Sequence, residues 1–337
     1  MSEPLITRRG TPRTNPTGVW LMRLFLAACL FFGSEVLVWT DIARPVWLLL
    51  AGIPGYVALA ALLLDLAVRF KVRDIFGVLT LAGVYALCAA SFIHPAATLN
   101  ALPTSLITRV MGAQVLAGAF GLGVFLALLD SVPYRRLFLL LSLVSGFFWG
   151  VWARGYPTVV DLPVIGLVPT LSAAVTVGVI VTALCGAALR ATDVTGDALR
   201  LTRIEWGIVL LVLATLLVFW IVRGAISRGA ASAVITLLFY CVMILWFQDR
   251  PEARHLFVGR LPAGAPPNLA MAAVGLLIFV GVGAAAYQLP VPSGDGTGVL
   301  SALLAFVGVL GLAWLPAVSV VLGVRAYRFT VRTGKSL

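Results

Sequence analysis

The feature that most constrains the fold of this 337-residue chain is a succession of apolar stretches, each about 20 residues long, the length that spans a hydrocarbon core roughly 30 Å thick. They run over 19–40, 47–68, 75–93, 106–130, 137–153, 164–189, 206–222, 229–247, 269–288 and 299–323. A backbone in lipid must satisfy its own hydrogen bonds, so stretches of this length are helices. The expected fold is therefore all-α: a polytopic transmembrane bundle of about ten helices. Composition agrees, with 61% hydrophobic and only 11% charged residues, far from the usage of a soluble domain. The bundle forms one domain over 19–323, flanked by tails at 1–18 and 324–337, with possible five-helix halves near 19–155 and 164–323. The longest connector, Gln248 to Asn268, is Pro-rich and charged and reads as a surface loop.

The net charge of +11 follows topology. With the N-terminus placed in the cytoplasm, 19 Lys and Arg residues fall on the inner side and 5 on the outer. That split is what the positive-inside rule produces for an even number of spans, so both termini are expected to be cytoplasmic. Once orientation has used the arginines, no basic face with interleaved aromatics remains, and nucleic acid is not an expected partner. Arginine outnumbers lysine 22 to 2. With no separable signal sequence, the expected location is a bacterial cytoplasmic (inner) membrane.

Chemistry-bearing residues are sparse. Cys29, Cys88, Cys185 and Cys241 sit in separate spans without paired spacing, and read as packing residues. His94 and His255 fall on opposite sides of the membrane, so no metal site and no cofactor is expected. Trp149, Trp152 and Tyr156 crowd the outer end of the fifth span, where an aromatic belt would lie. That stretch, "GFFWGVWARGYPTVVDLP", is also similar to the tryptophan-rich segments of haem-handling membrane proteins, which need axial histidines. Arg154 and Asp161 close to it make a candidate polar rim.

Glu35 is the one carboxylate set unambiguously within a span, roughly 7 Å from its outer end at 1.5 Å per residue. An acid at such a depth is neutral, reaches the interface or faces a partner inside the bundle, where it serves either as a helix-fastening ion pair or as part of a polar cavity for substrate or lipid headgroups. Arg109 reaches a similar depth, roughly 6 Å, in the fourth span. The expectation is that Glu35 and Arg109 pair, with Gln114 about a turn and a half deeper. Asp65 and Arg69 are four apart at the end of the second span and should pair locally. Pro54 and Gly55 in "GIPGY", and Pro316 in the tenth span, are candidate helix breaks, the places where transporters bind cargo. Gly118, Gly121, Gly123, Gly281 and Gly283 suit close helix packing.

Two families are resembled. Ten helices with both ends inside, and the opening helix "FLAACLFFGSEVLVW", are similar to the drug/metabolite transporter superfamily, which would imply inverted five-helix halves and a substrate site near the midplane. The loops "DLAVRFKVRD" and "ATDVTGDALRLTR", with Asp65, Asp74, Asp193 and Asp197, occupy positions similar to the aspartate loops of UbiA-type prenyltransferases, which would imply magnesium and diphosphate binding, although no Asn-Asp-x-x-Asp cluster is present. Three functions stay open: a transporter or permease for a small or weakly polar solute, a non-catalytic subunit or scaffold in a complex, and a membrane enzyme acting on a lipid or isoprenoid-linked substrate. The partners expected are the bilayer, a solute or lipid, and possible partner subunits.

Overall fold

A computed structural model describes residues 15–38, 46–129, 135–159, 164–191, 194–248, 256–257, 269–289 and 298–333. Among these the chain is helical with no strand: α1 (Pro16–Phe31), α2 (Val46–Arg69), α3 (Ile75–Phe92), the single turn α4 (Pro95–Thr98), α5 (Val115–Leu129), α6 (Arg135–Val159), α7 (Leu167–Arg190), α8 (Arg203–Val222), α9 (Arg228–Gln248), α10 (Leu269–Tyr287) and α11 (Val299–Thr333). Two segments are π-helical: Phe32–Val38 continues α1, and Leu106–Gln114 leads into α5. Counting each π segment with its α-helix, ten helices are long and apolar enough to cross a membrane. The chain is an integral membrane protein of the multi-pass helical class.

The spans differ in how they are buried. The first five have 44–78% of their apolar window inside the protein, the last five only 17–28%. The first four helical spans and α6 thus form the packed centre, and α7 to α11 line its periphery with apolar faces directed outward. The centre is close-fitted by small residues. A Cβ on Gly33 would lie 2.6 Å from the Ala117 carbonyl oxygen, and one on Gly121 would lie 3.1 Å from that of Cys29; only glycine permits these approaches. Gly118 meets Tyr85 and Gly283 meets Trp149, whereas Gly281 faces open space and Gly123 has only Leu141, at 3.9 Å.

One end of the bundle is held by ion pairs. Thr202 and Glu205 form a capping box at the start of α8, satisfying amides that no helical carbonyl can reach. Glu205 also binds the guanidinium of Arg23, which is fully buried in α1. Asp65 pairs with Arg69 at 3.0 Å, as the four-residue spacing predicts, and in addition accepts from the Leu201 amide at 2.8 Å. Asp74 caps α3 through the Gly77 amide and binds Arg325 of α11. These contacts bring the start of α1, the end of α2, the starts of α3 and α8 and the end of α11 to one face, the arginine-rich end.

The other end is held by side chains that donate to helix-terminal carbonyls, the acceptors left over where a helix stops. The Trp149 and Trp152 indoles, three residues apart on one face of α6, donate to Val36 O (2.7 Å) and Val38 O (2.9 Å). Trp220 donates to Phe92 O, and Arg154 to Tyr287 O. The two α6 tryptophans are therefore buried caps of the first span, a correction to their reading as a lipid-facing belt. Pro54, Gly55 and Pro316 each lie inside a continuous helix, where neighbouring groups can satisfy the one carbonyl a proline releases. Departure from α-helix occurs instead at the two π segments.

Candidate functional site

Glu35 lies in the first π segment, near the end held by the tryptophan caps. Its Oε1 accepts from the Tyr56 hydroxyl of α2 at 2.7 Å and stands 3.0 Å from His94 Nε2. Tyr56 Oη is itself 2.9 Å from His94 Nε2, so three polar atoms from three parts of the chain close a triangle. Tyr56 and His94 are buried, and the Glu35 side chain is only 8% exposed. His94 precedes the single turn α4, and Pro95 at that turn's first position sets the direction in which the chain leaves α3.

The triangle has a definite proton requirement. A carboxylate oxygen and an imidazole nitrogen both present lone pairs unless one carries hydrogen, and the tyrosine hydroxyl supplies only one. A hydrogen on His94 Nε2, which the neutral Nε2–H tautomer carries, satisfies the 3.0 Å approach to Glu35, so the cluster is a carboxyl–imidazole contact with a phenol beside it.

A second polar pair adjoins it. Ser34, one residue before Glu35, donates to Gln114 Oε1 at 3.1 Å, with both side chains fully buried. Gln114 ends the second π segment, so both π segments deliver a residue to this contact. The Gln114 Nε2 amide has no hydrogen-bond partner. A buried donor left this way costs about 1–3 kcal/mol. Tyr85 of α3 also faces Ser34, Glu35 and Tyr56 and donates to the Leu30 carbonyl. Ser34, Glu35, Tyr56, Tyr85, His94 and Gln114 thus form one polar island in an apolar bundle. π-helical geometry is frequent at functional sites, and here two such segments, of seven and nine residues, meet at the same contact.

Of the residues singled out from sequence, Glu35 and Gln114 belong to this island. Arg109 does not pair with Glu35. Its guanidinium donates to Ala97 O and Asn100 Oδ1, capping α4, because the second π segment carries it toward the 97–100 turn. Arg154 is bound at the end of α10, donating to Tyr287 O at 2.8 Å. Asp161 lies outside the described residues, as do His255 and Asp193. Tyr56 and His94 were not anticipated as partners of Glu35. Tyr56 ends the "GIPGY" motif, and His94 precedes a proline at the edge of a span, but their approach across 21 and 59 residues leaves no local pattern to read.

The aspartates expected at the arginine-rich end are engaged otherwise. Asp65 accepts from Arg69 and from the Leu201 amide, and Asp197 sits in a short 3-10 turn, Gly196–Leu199. Among the described residues no three His, Cys, Asp or Glu side chains lie together as metal ligands would.

A separate narrow cleft with about 60 Å³ of free space lies between the first span, α5, α6, α7 and α10, walled by Phe32, Val124, Phe138, Val181, Leu276 and Phe279 among others. No protein-family model matches the chain. Comparisons with curated proteins and with solved structures likewise give no match.

Proposed function

We propose that this integral membrane protein is a transporter or permease for a small, weakly polar solute, bound at the island of Ser34, Glu35, Tyr56, His94 and Gln114. The observation that carries the reading is the Gln114 amide. It is a fully buried donor without a partner, at the meeting point of two π-helical segments. Unwound or irregular helices that expose polar groups inside a bundle are where transporters hold cargo, and buried acids in membrane spans mark solute and proton pathways. The free donor of Gln114 and the acceptor oxygens of Glu35 suit a neutral solute bearing one acceptor and one donor, such as a short amide or polyol. A proton taken up by Glu35 or His94 is the candidate coupling ion.

Thermal unfolding of the purified protein against a panel of short amides, polyols, amines and carboxylic acids tests this. A ligand at 100 times its Kd stabilises by about 2.7 kcal/mol. At least one neutral member should raise Tm for the wild type and leave Gln114→Leu unmoved. A panel that shifts neither protein, or shifts both alike, overturns the assignment.

A second reading, a non-catalytic subunit of a larger complex, is favoured by the burial pattern. In a pair of equivalent inverted halves, matched helices should be buried alike, yet the ranges for the two halves, 44–78% and 17–28%, do not overlap. The outward apolar faces of α7 to α11 would then seat partner helices as well as lipid. Recovery of partner chains in fixed stoichiometry by native mass spectrometry would favour it over a stand-alone permease.

A further inference from the structure

α11 is longer than the membrane it crosses. Its 35 residues measure about 52 Å at 1.5 Å per residue, against roughly 30 Å of hydrocarbon and about 40–45 Å with the headgroup layers. Its height is fixed where Arg325 binds Asp74, the residue that caps α3, and lies over the Phe76 ring. The apolar run of α3 starts at Ile75, so this contact marks the edge of the hydrocarbon. Arg328 then stands about 4.5 Å farther along α11, inside a headgroup layer roughly 5–7 Å deep.

Two properties of this end decide what meets it. The first is charge. Arg73 directly precedes Asp74 and Arg328 lies one turn beyond Arg325, so the Asp74–Arg325 pair gathers three arginines about a single acid. Arg73 and Arg328 are exposed and have no acidic partner among the described residues, and α11 contains no Asp or Glu. The second is an apolar face. Val320, Val324, Tyr327 and Val331 recur at helical spacing and are all exposed. The first two lie within the span and the last two beyond Arg325, so one face runs unbroken from the lipid-exposed part of α11 into the headgroup layer. That continuity favours lipid over a soluble acidic protein as the occupant, and like charges oppose a second copy of this chain. A tyrosine at headgroup depth beside arginines also suits a bilayer interface.

We propose that the start of α3 and the end of α11 form an interfacial site for an anionic phospholipid. Arg73 and Arg328 hold its headgroup phosphate, and Tyr327 and Val331 lie against the lipid beside it. The site shares no residue with the Gln114 island and stands whatever that island binds.

Native mass spectrometry of the full chain, delipidated in neutral detergent and titrated with phosphatidylglycerol or phosphatidylcholine of identical acyl composition, tests the proposal. Each arginine close to an anionic headgroup is worth about fivefold in affinity, so the phosphatidylglycerol-to-phosphatidylcholine retention ratio of Arg73→Gln/Arg328→Gln should fall on the order of tenfold or more below that of the wild type. Arg328→Gln alone, at an exposed position outside the span, should lower it about fivefold, and carries the test if the double variant does not fold. Arg190→Gln/Arg200→Gln, which removes two exposed arginines from α7 and from the end of the 3-10 turn, should leave the ratio nearly unchanged. Tyr327→Ser should lower retention of both lipids alike. A ratio unchanged in Arg73→Gln/Arg328→Gln and in Arg328→Gln, or an equal fall in Arg190→Gln/Arg200→Gln, overturns the headgroup site, the latter because total charge then sets the preference. Loss of a co-purifying acidic protein from Arg73→Gln/Arg328→Gln, with the lipid ratio of the wild type kept, overturns it in favour of a protein partner. Unchanged retention in Tyr327→Ser overturns the placing of that face against lipid. The melting temperature of each lipid-free protein reports its folding.

Discussion

Glu35 Oε1 and His94 Nε2 stand 3.0 Å apart inside a bundle of apolar helices, with the Tyr56 hydroxyl within 2.9 Å of both. Glu35 lies midway along the first π segment and His94 stands where the chain leaves α3, so the contact fastens two spans. Removing one member takes a close partner from the other in a low-dielectric site, and removing both leaves the buried Tyr56 hydroxyl without either contact.

Glu35→Ala and His94→Ala should therefore each destabilise the protein by about 3 kcal/mol, and the double variant by clearly less than their sum. Chemical denaturation of the four proteins in one detergent gives the coupling. Strict additivity would mean that the two groups do not share a contact.

Gln114→Leu should behave differently. A leucine removes the unpartnered Nε2, a gain of about 1–3 kcal/mol, but also takes away the acceptor of the buried Ser34 hydroxyl, a loss of similar size, so the variant should lie within about 1 kcal/mol of the wild type. A loss of more than about 2 kcal/mol in the same denaturation assay would show a packing role for the amide instead.

The glycines separate tight from open positions. Gly33→Ala places a methyl 2.6 Å from the Ala117 carbonyl oxygen, and Gly311→Ala drives one into the Ile107 carbonyl of the second π segment. Both should cost about 1–3 kcal/mol or more, because the obstacle is backbone. Gly281→Ala meets nothing within 4 Å and should stabilise α10 by about 0.5–1 kcal/mol. Melting temperatures of the three variants check the order, and a Gly33→Ala protein as stable as Gly281→Ala would contradict the packing described for the first π segment.

Trp149→Phe and Trp152→Phe keep the ring and remove the donor to Val36 O or Val38 O. Each should cost about 1–2 kcal/mol, because a buried carbonyl at a helix end loses its partner. Trp246, exposed on α9, has no such role, and Trp246→Phe should be neutral within about 0.5 kcal/mol. Equal effects at all three positions would restore the aromatic-belt reading.

Much of this architecture was legible in the sequence, and the divide between what was and was not follows from range. Ten spans were readable because each is a long local run of apolar residues, and the Asp65–Arg69 pair because helical spacing alone brings positions four apart together. Glu35 stood out because one acid in an apolar run is locally anomalous. Its partners were not readable. Tyr56 and His94 arrive from 21 and 59 residues away, and nothing local marks either as the neighbour of Glu35. Arg109 was misplaced because equal depth in two helices fixes height along the membrane normal and says nothing about direction around each helix. The π segment that carries Arg109 shifts that direction further. Pro54 and Pro316 announce a lost hydrogen bond from sequence alone, while the π segments at Phe32–Val38 and Leu106–Gln114 contain no residue that forces them.

The most direct test of the solute site is flux. Proteoliposomes carrying wild-type protein, and others carrying a folded Glu35→Gln variant at equal density, would be compared for uptake of the neutral solute that most stabilises the wild type. Wild-type uptake well above protein-free vesicles, with the variant close to background, is the predicted result. Equal uptake by wild type and Glu35→Gln, or wild-type uptake no faster than bare vesicles, would contradict it.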